Sequence, residues 1–196
     1  MNPITPQDLM TLEGYDKARS SFRQAVMSRK KNRLVSIGPD VVLSFEDRTT
    51  ILYQIQEMLR VERIFIRAGI QAELDAYNPL IPDGSNWKAT MMIQIPDAAT
   101  RREALTRLVG IERRCWVRIE DHDRVYAIAD EDMKRTTEDK TSAVHFLRFE
   151  LPPVARDGVQ GGGRITMGID HASSRHSLDP VPVPLADSLR DDLAES

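Results

Sequence analysis

Two long segments in the first half of the chain carry apolar residues at helical spacing. The first follows Thr5-Pro6-Gln7-Asp8, which is typical of a helix start because a threonine cap precedes a proline and an acid. Apolar residues then recur every three or four positions to about residue 31. The second segment begins at the cap residue Asp47 and keeps this spacing to about Glu73. The pattern therefore predicts long helices over 5–31 and 47–73.

The rest of the chain contains short apolar or alternating runs separated by turn sequences, which are typical of strands and hairpins. Gly38-Pro39-Asp40 lies between two such runs and predicts a hairpin, and Asp121-His122-Asp123 predicts another. Asp97 begins a shorter predicted helix. The predicted strands cover 34–37, 41–45, 87–95, 115–120, 125–129, 142–151 and 165–169.

The order of these elements predicts the fold class. Because helices come first and hairpin-linked strands follow, we expect a single α+β domain over 1–196. A mainly antiparallel sheet, placed at 87–170, is expected to pack against the two long N-terminal helices and the shorter one. The segment 172–196 contains several prolines and acidic residues, and we interpret it as a tail ending in a short helix.

Composition and charge narrow the class of protein. The 196 residues are 41% hydrophobic and 29% charged, which is typical of a globular chain. The one cysteine excludes an internal disulfide and favours a cytoplasmic location. No apolar run reaches the roughly 20 residues of a membrane span. A net charge of -3 argues against a nucleic-acid partner.

A basic stretch nevertheless occurs at 17–33, where seven lysines and arginines are found without an acid. The tail is acidic and could dock on this stretch, either within one chain or across a dimer. Its acidic residues are Asp187, Asp191, Asp192 and Glu195.

Glutamates interrupt the apolar stripe of the second predicted helix. At 100° per residue, Glu62 falls near the middle of the apolar arc and Glu73 returns to the same side. A carboxylate in the core must be paired, protonated or bound to a metal. The eleven residues between the two glutamates span about 16 Å of helix, so they cannot share one site. We therefore expect Glu62 to point inward and to have a specific partner.

The strand predicted over 142–151 contains the candidate partners of Glu62. Alternation places His145 among apolar side chains on one face and Arg148 on the other. If the second helix covers the histidine face, Glu62 meets His145 in the core, with Arg148 as the alternative partner. A buried ion pair that holds helix against sheet is one interpretation of this arrangement. The other is a metal site, since two histidines and a carboxylate suffice for an open-sided iron centre.

For the metal interpretation, the candidate ligands of iron or another divalent metal are Glu62, His145 and His171. Polar side chains from the loop 76–86 and from two strands could form a ligand-binding rim, and the alternative is a loop that satisfies its own backbone. The candidate ligand-binding residues are Tyr77, Asn78, Asp83, Arg148 and Asp170. The site is expected between the second helix and the main sheet.

Four segments carry a family resemblance: Ala76–Gly84, Lys88–Ile93, Lys140–Leu151 and Gly168–His171. On these segments the chain resembles the bacterial family called domain of unknown function 3501 (DUF3501). The resemblance runs from the second helix to the last strand and supplies no activity. By association alone it implies a redox or peroxide-stress setting, because family members are often encoded beside rubrerythrin-like and iron–sulfur reductase-like proteins.

Two hypotheses of function remain at this point. The first is a redox-associated protein with a small polar-ligand or metal site around Glu62 and His145, acting with a redox protein partner. The second is a non-catalytic accessory protein in which the buried ion pairs are structural. In either case we expect a homo-oligomer.

Overall fold

The computed structural model describes residues 2–193 and shows an α+β fold, as the sequence predicts. Its helices are α1 (Leu12–Lys31), α2 (Arg48–Val61), α3 (Arg67–Tyr77), α4 (Ala98–Arg107), α5 (Pro153–Gln160) and α6 (Val183–Asp191). Its strands are β1 (Leu34–Ile37), β2 (Val41–Phe45), β3 (Asn86–Ile93), β4 (Cys115–Ile119), β5 (Val125–Tyr126), β6 (Ile128–Ala129), β7 (Val144–Glu150), β8 (Ile165–His171) and β9 (Ser174–Leu178). Over this part of the chain, none of the helices has the length and apolarity that a bilayer crossing requires.

The strands form two antiparallel sheets rather than the one that we expected over 87–170. The first sheet has the order β1-β2-β3-β7-β6, and the second has the order β5-β4-β8-β9. The first sheet begins before residue 87 because the β1–β2 hairpin pairs with β3, with Phe45 opposite Ala89. The predicted tail also contributes to the fold, since it contains β9 and α6.

The inner faces of the two sheets enclose the main apolar core. Phe45 and Phe149 of the first sheet and Val117 and Met167 of the second belong to one buried cluster. Because alternate residues of a strand point to opposite faces, the neighbours of these residues form the outer faces. Helix α2 lies over the outer face of the first sheet. It shares a separate apolar cluster with α3, whose buried members are Ile4, Ile51, Ile55, Leu59, Leu74 and Ile81.

The second predicted helix is interrupted, and the prediction that Glu62 points into the core is wrong. Glu62 is the exposed C-cap of α2. Arg63 adopts a left-handed φ of 53°, and the Ile64 amide donates to the Leu59 carbonyl at 2.9 Å, which is the Schellman termination of a helix. The apolar spacing therefore continues across a break in the helix. Phe65, an apolar residue within the helix predicted over 47–73, is 71% exposed.

The first predicted helix ends where expected but begins later. Thr5 caps only a short 3-10 turn over Pro6–Asp8. The α-helix begins at Leu12, where the Thr11 hydroxyl accepts a hydrogen bond from the Gly14 amide at 3.1 Å. The start signal was thus real, but it belongs to a separate turn.

A buried arginine joins the β1–β2 hairpin to the C-terminal helix. Arg33 is fully buried and donates to the carbonyl oxygens of Phe45 and Glu46, each at 3.0 Å. It also donates to Ser188 Oγ at 2.6 Å and forms an ion pair with Asp192. The guanidinium therefore connects the end of β2 to helix α6.

The sequence predicts that the acidic tail docks on the basic stretch. The ion pair between Asp192 and Arg33 confirms this contact for these two residues, within one chain. The N-cap Asp47 of α2 lies 3.5 Å from Arg33 Nε and also pairs with Arg29. Glu195, which the prediction included, lies outside the described residues.

Replacing Arg33 with alanine is expected to lower the free energy of unfolding by about 3–5 kcal/mol. The loss arises because Asp192 and two carbonyl groups would remain buried without their donor. Urea unfolding of wild type and Arg33→Ala measures it. As a control, Lys17→Ala removes an exposed ion pair to Glu13 and should change stability by less than about 0.5 kcal/mol. Similar losses for the two variants would contradict the assignment.

The Asp192 carboxyl also predicts a pH dependence. Burial raises its pKa from 3.8 to about 6, although Arg33 acts in the opposite direction. The folded state therefore binds the Asp192 proton more tightly than the unfolded state does. The protonated carboxyl stabilises the fold fully below the pKa of the unfolded state, 3.8, and this stabilisation is lost as pH rises through about 6. The free energy of unfolding of Asp192→Asn, relative to that of wild type, should rise by on the order of 3 kcal/mol from pH 3 to pH 7. Urea unfolding at both pH values tests this, and a constant difference would refute it.

Candidate functional site

A cavity of about 280 Å³ lies between the helix layer and the outer face of the first sheet. It occupies the region between the second helix and the sheet where the sequence places a site. Ser44, Thr90 and Phe146 are opposite one another in adjacent strands and therefore point to the same face. The full lining is Lys30, Ser44, Glu46, Ile51, Gln54, Tyr77, Leu80, Thr90, Met92, Val144 and Phe146.

A buried carboxylate lines this cavity. Glu46 directly follows β2 and is 8% exposed. The Thr50 hydroxyl donates to Glu46 Oε2 at 2.7 Å, and the Thr90 hydroxyl donates to Oε1 at 3.0 Å. Among the described residues, no lysine, arginine or histidine nitrogen lies within 4 Å of this carboxylate, whereas its neighbour Asp47 has such partners. A buried carboxylate with only neutral donors attracts a cation strongly.

The start of α2 holds the donor for Glu46 in place. Asp47 and Thr50 form a capping box, in which the Thr50 amide donates to Asp47 Oδ1 at 2.8 Å and the Asp47 amide donates to Thr50 Oγ1 at 2.9 Å. These bonds hold the Thr50 hydroxyl within hydrogen-bonding distance of Glu46. Glu46 is not among the site residues predicted from the sequence, although an acid between a buried strand and the helix cap Asp47 is a signal for it.

The three candidate metal ligands lie in different layers of the structure. Glu62 is exposed in the helix layer, His145 faces the interior between the sheets, and His171 ends β8 in the second sheet. Within residues 2–193 no three histidine, cysteine, aspartate or glutamate side chains form a group that could hold a metal. The expected Glu62–His145 contact is absent because α2 covers the face opposite His145.

His145 is fully buried, as its strand position predicts, but Asp130 is its partner. Nδ1 lies 2.6 Å from Asp130 Oδ2, and Nε2 lies 2.8 Å from the Thr141 hydroxyl. Both ring nitrogens thus form hydrogen bonds to oxygen atoms, and neither is free to bind a metal. Asp130 has a left-handed φ of 54° and accepts from the Phe146 amide at 3.2 Å, so it fastens the loop 130–143 to β7.

A larger cleft of about 530 Å³ borders this loop. Glu112 is buried beside it and accepts from the hydroxyls of Thr136 and Thr141, at 3.1 and 3.4 Å. The cleft is lined mainly by charged loop residues of both signs, whereas Lys30 and Glu46 are the charged residues that line the Glu46 cavity. We therefore interpret the network around His145 as an attachment of the loop.

His171 is likewise engaged at both ring nitrogens. Its Nε2–H donates to the Val109 carbonyl at 3.1 Å, and Nδ1 accepts from the Ser173 amide at 3.1 Å. These bonds fix the β8–β9 turn beside the segment that follows α4. The lone pair that a metal ligand needs is already used.

The loop residues of the predicted ligand rim separate into two groups. Tyr77 lines the Glu46 cavity. Asn78 instead binds the backbone amide and carbonyl of Ile4, at 2.8 and 2.9 Å. Burial alone would raise the pKa of Asp83, but hydrogen bonds from Ser85 and Asn86 lower it below its ordinary value. Asn78 and Asp83 thus stabilise local structure.

The two predicted strand residues lie on separate surfaces. Arg148 pairs with Glu131 at 2.8 Å and also with Glu150 on its own strand. Hydrogen bonds to Glu131 raise the pKa of the Arg148 guanidinium, so its charge is constant. Asp170 lies on the outer face of the second sheet beside Arg124 and Arg175. Neither residue lines the Glu46 cavity.

Comparison with known proteins identifies the family. A sequence model described as protein of unknown function (DUF3501) matches residues 3–193. The chain belongs to the DUF3501 family. A crystal structure of a novel protein of unknown function from Burkholderia pseudomallei is similar to this DUF3501 protein, with a TM-score of 0.93 and 49% identity over 98% of this chain and 100% of that one. No curated protein matches.

The Asp130–His145 pair of this DUF3501 protein gives a stability prediction. Asp130→Asn keeps a side chain that tolerates the left-handed backbone but removes the charge facing His145. We expect it to lower the free energy of unfolding by about 1–3 kcal/mol. Asp132→Asn, in the same loop but half exposed, is the matched control and should cost less than about 0.5 kcal/mol. Equal effects in urea unfolding would show that the pair does not fasten the loop.

Proposed function

We propose that this protein binds a small organic cation in the cavity between α2 and the first sheet, with Glu46 as the anchoring carboxylate. The observation that supports the proposal is how Glu46 is surrounded. It is buried, it receives only hydroxyl donors, and no cationic side chain of the described residues contacts it. An ammonium group would neutralise it and could donate to the remaining lone pairs of both oxygens.

The cavity walls restrict the rest of the ligand. Ile51, Leu80, Met92 and Phe146 provide apolar surface, while Gln54 provides an amide. A volume of about 280 Å³ is at the lower limit for ligand pockets, so the ligand has few non-hydrogen atoms. A primary amine on a short apolar chain matches both the carboxylate and these walls.

Lys30 also lines the cavity and is the internal competitor for Glu46. If its ammonium group turned toward the carboxylate, the site would be a structural ion pair. Replacing Lys30 by glutamine separates the two cases. If the proposed site is correct, Lys30→Gln should bind the amine as well as wild type does or more tightly. A lower free energy of unfolding in this variant, without amine binding, would support the ion pair.

The other predictions of function rest on the family resemblance or on composition. A redox setting, a redox protein partner, bound iron and a homo-oligomer remain predictions, as does the accessory role. The proposal for Glu46 depends on none of them.

Amine binding can be tested by calorimetric titration with butylamine and with butanol, a neutral probe of the same length. Wild type should bind butylamine and not butanol. Glu46→Gln keeps the shape and should weaken amine binding at least about tenfold. Glu62→Gln, which changes an exposed glutamate at the end of α2, is the matched control and should bind as wild type does.

Two results would overturn the proposal. One is the absence of butylamine binding up to about 10 mM in folded wild-type protein. The other is equal butylamine affinity in wild type and Glu46→Gln. Far-ultraviolet circular dichroism of the variant establishes that its fold is retained.

A further inference from the structure

The outer face of the second sheet carries a separate cleft of about 310 Å³ in which positive charge exceeds negative charge. Three arginines and a histidine line it together with two aspartates. An adjoining cleft shares Asp170 and Arg175 and adds Arg113 and Arg114. The first cleft is lined by Trp116, Arg118, Arg124, Thr166, Ile169, Asp170, Arg175, His176, Ser177 and Asp179.

Strand register brings the central residues of this cleft onto one face. Trp116 of β4 is opposite Gly168 of β8, and Arg118 is opposite Thr166. A Cβ atom at Gly168 would lie 2.4 Å from the Trp116 ring, so the missing side chain allows the indole to lie across the neighbouring strand. The guanidinium of Arg124 lies over the indole, 4.2 Å from the ring centroid.

The indole N–H of Trp116 has no acceptor among residues 2–193. Trp116 is 3% exposed, and its Nε1 is buried without a hydrogen-bond partner. Trp87 shows the usual arrangement, because its Nε1–H donates to the Leu189 carbonyl at 2.9 Å. A buried donor without an acceptor is destabilising and uncommon in folded proteins. A ligand acceptor in the cleft would satisfy it once the side chains that cover Nε1 move aside.

The arginines of the cleft have spare donors as well. Arg118 Nε is buried without a partner, and no carboxylate of the described residues lies within 4 Å of this guanidinium. Arg124 and Arg175 share a single aspartate, Asp170, at 3.5 and 3.6 Å. One carboxylate therefore balances two cations through long contacts. Planar guanidinium groups with free donors suit the paired oxygens of a carboxylate or phosphate.

We propose that this cleft binds a small compound through a carboxylate or phosphate group. Trp116 Nε1 and Arg118 donate to the oxyanion, and Arg124 and Arg175 contribute charge at the rim. The site lies on the other sheet from Glu46 and takes a ligand group of the opposite charge, so it stands independently of the proposed amine site.

Two-dimensional ¹H–¹⁵N NMR tests the proposal on the intact chain at low ionic strength. Its probes are inorganic phosphate and succinate, with sodium chloride at equal ionic strength as the reference. The Trp116 indole resonance, assigned by its contact with Gly168, should shift saturably, while that of Trp87 stays constant. A response to phosphate alone, to succinate alone or to both supports the site and identifies the preferred oxyanion.

Variants connect the response to the residues proposed. Arg118→Gln should weaken binding of the responding anion at least about tenfold. Arg175→Gln changes an exposed rim residue with little risk to folding and should weaken binding about threefold. Arg102→Gln, on exposed α4, is the matched control and should leave the affinity unchanged. A response no larger than that to chloride, or equal affinities in wild type, Arg118→Gln and Arg175→Gln, would overturn the proposal.

Discussion

The fully buried guanidinium of Arg33 constrains the relative positions of the hairpin, α2 and α6. Its donors lie in one rigid plane, so their acceptors must take matching positions around it. Those acceptors are the carbonyls of Phe45 and Glu46, the side chain of Ser188 and the carboxylate of Asp192. Asp47, which begins α2, lies beside the same group. The start of α2 and the end of α6 are therefore oriented by one side chain.

This constraint also explains how a carboxylate comes to line the outer cavity. Arg33 holds the backbone carbonyl of Glu46, while the side chain extends to the hydroxyls of Thr50 and Thr90. The backbone carbonyl of Glu46 thus attaches the hairpin to Arg33, while its side chain supplies the carboxylate of the cavity. The stability of the hairpin and the geometry of the candidate site are coupled through this residue.

The two-sheet arrangement separates the polar chemistry of the chain by face. The inner faces are filled by apolar side chains, and His145, the buried histidine there, has all its hydrogen bonds within the protein. The outer faces carry the candidate ligand sites. A buried carboxylate lines the cavity on the first sheet, and unpartnered donors of Trp116 and Arg118 line the cleft on the second. The two surfaces therefore suit ligand groups of opposite charge.

The sequence by itself determined the α+β class, the β1–β2 hairpin and the inward position of His145, because turn residues and two-residue alternation are local signals. It misplaced Glu62 because apolar spacing continued through the Schellman turn at Arg63. Alternation distinguishes the two faces of a strand, but it does not reveal which face a helix covers. Only the tertiary structure decided that α2 covers the face opposite His145, so that Asp130 meets the histidine and Glu46 lines the cavity. These contacts join distant segments, and no short-range pattern encodes them.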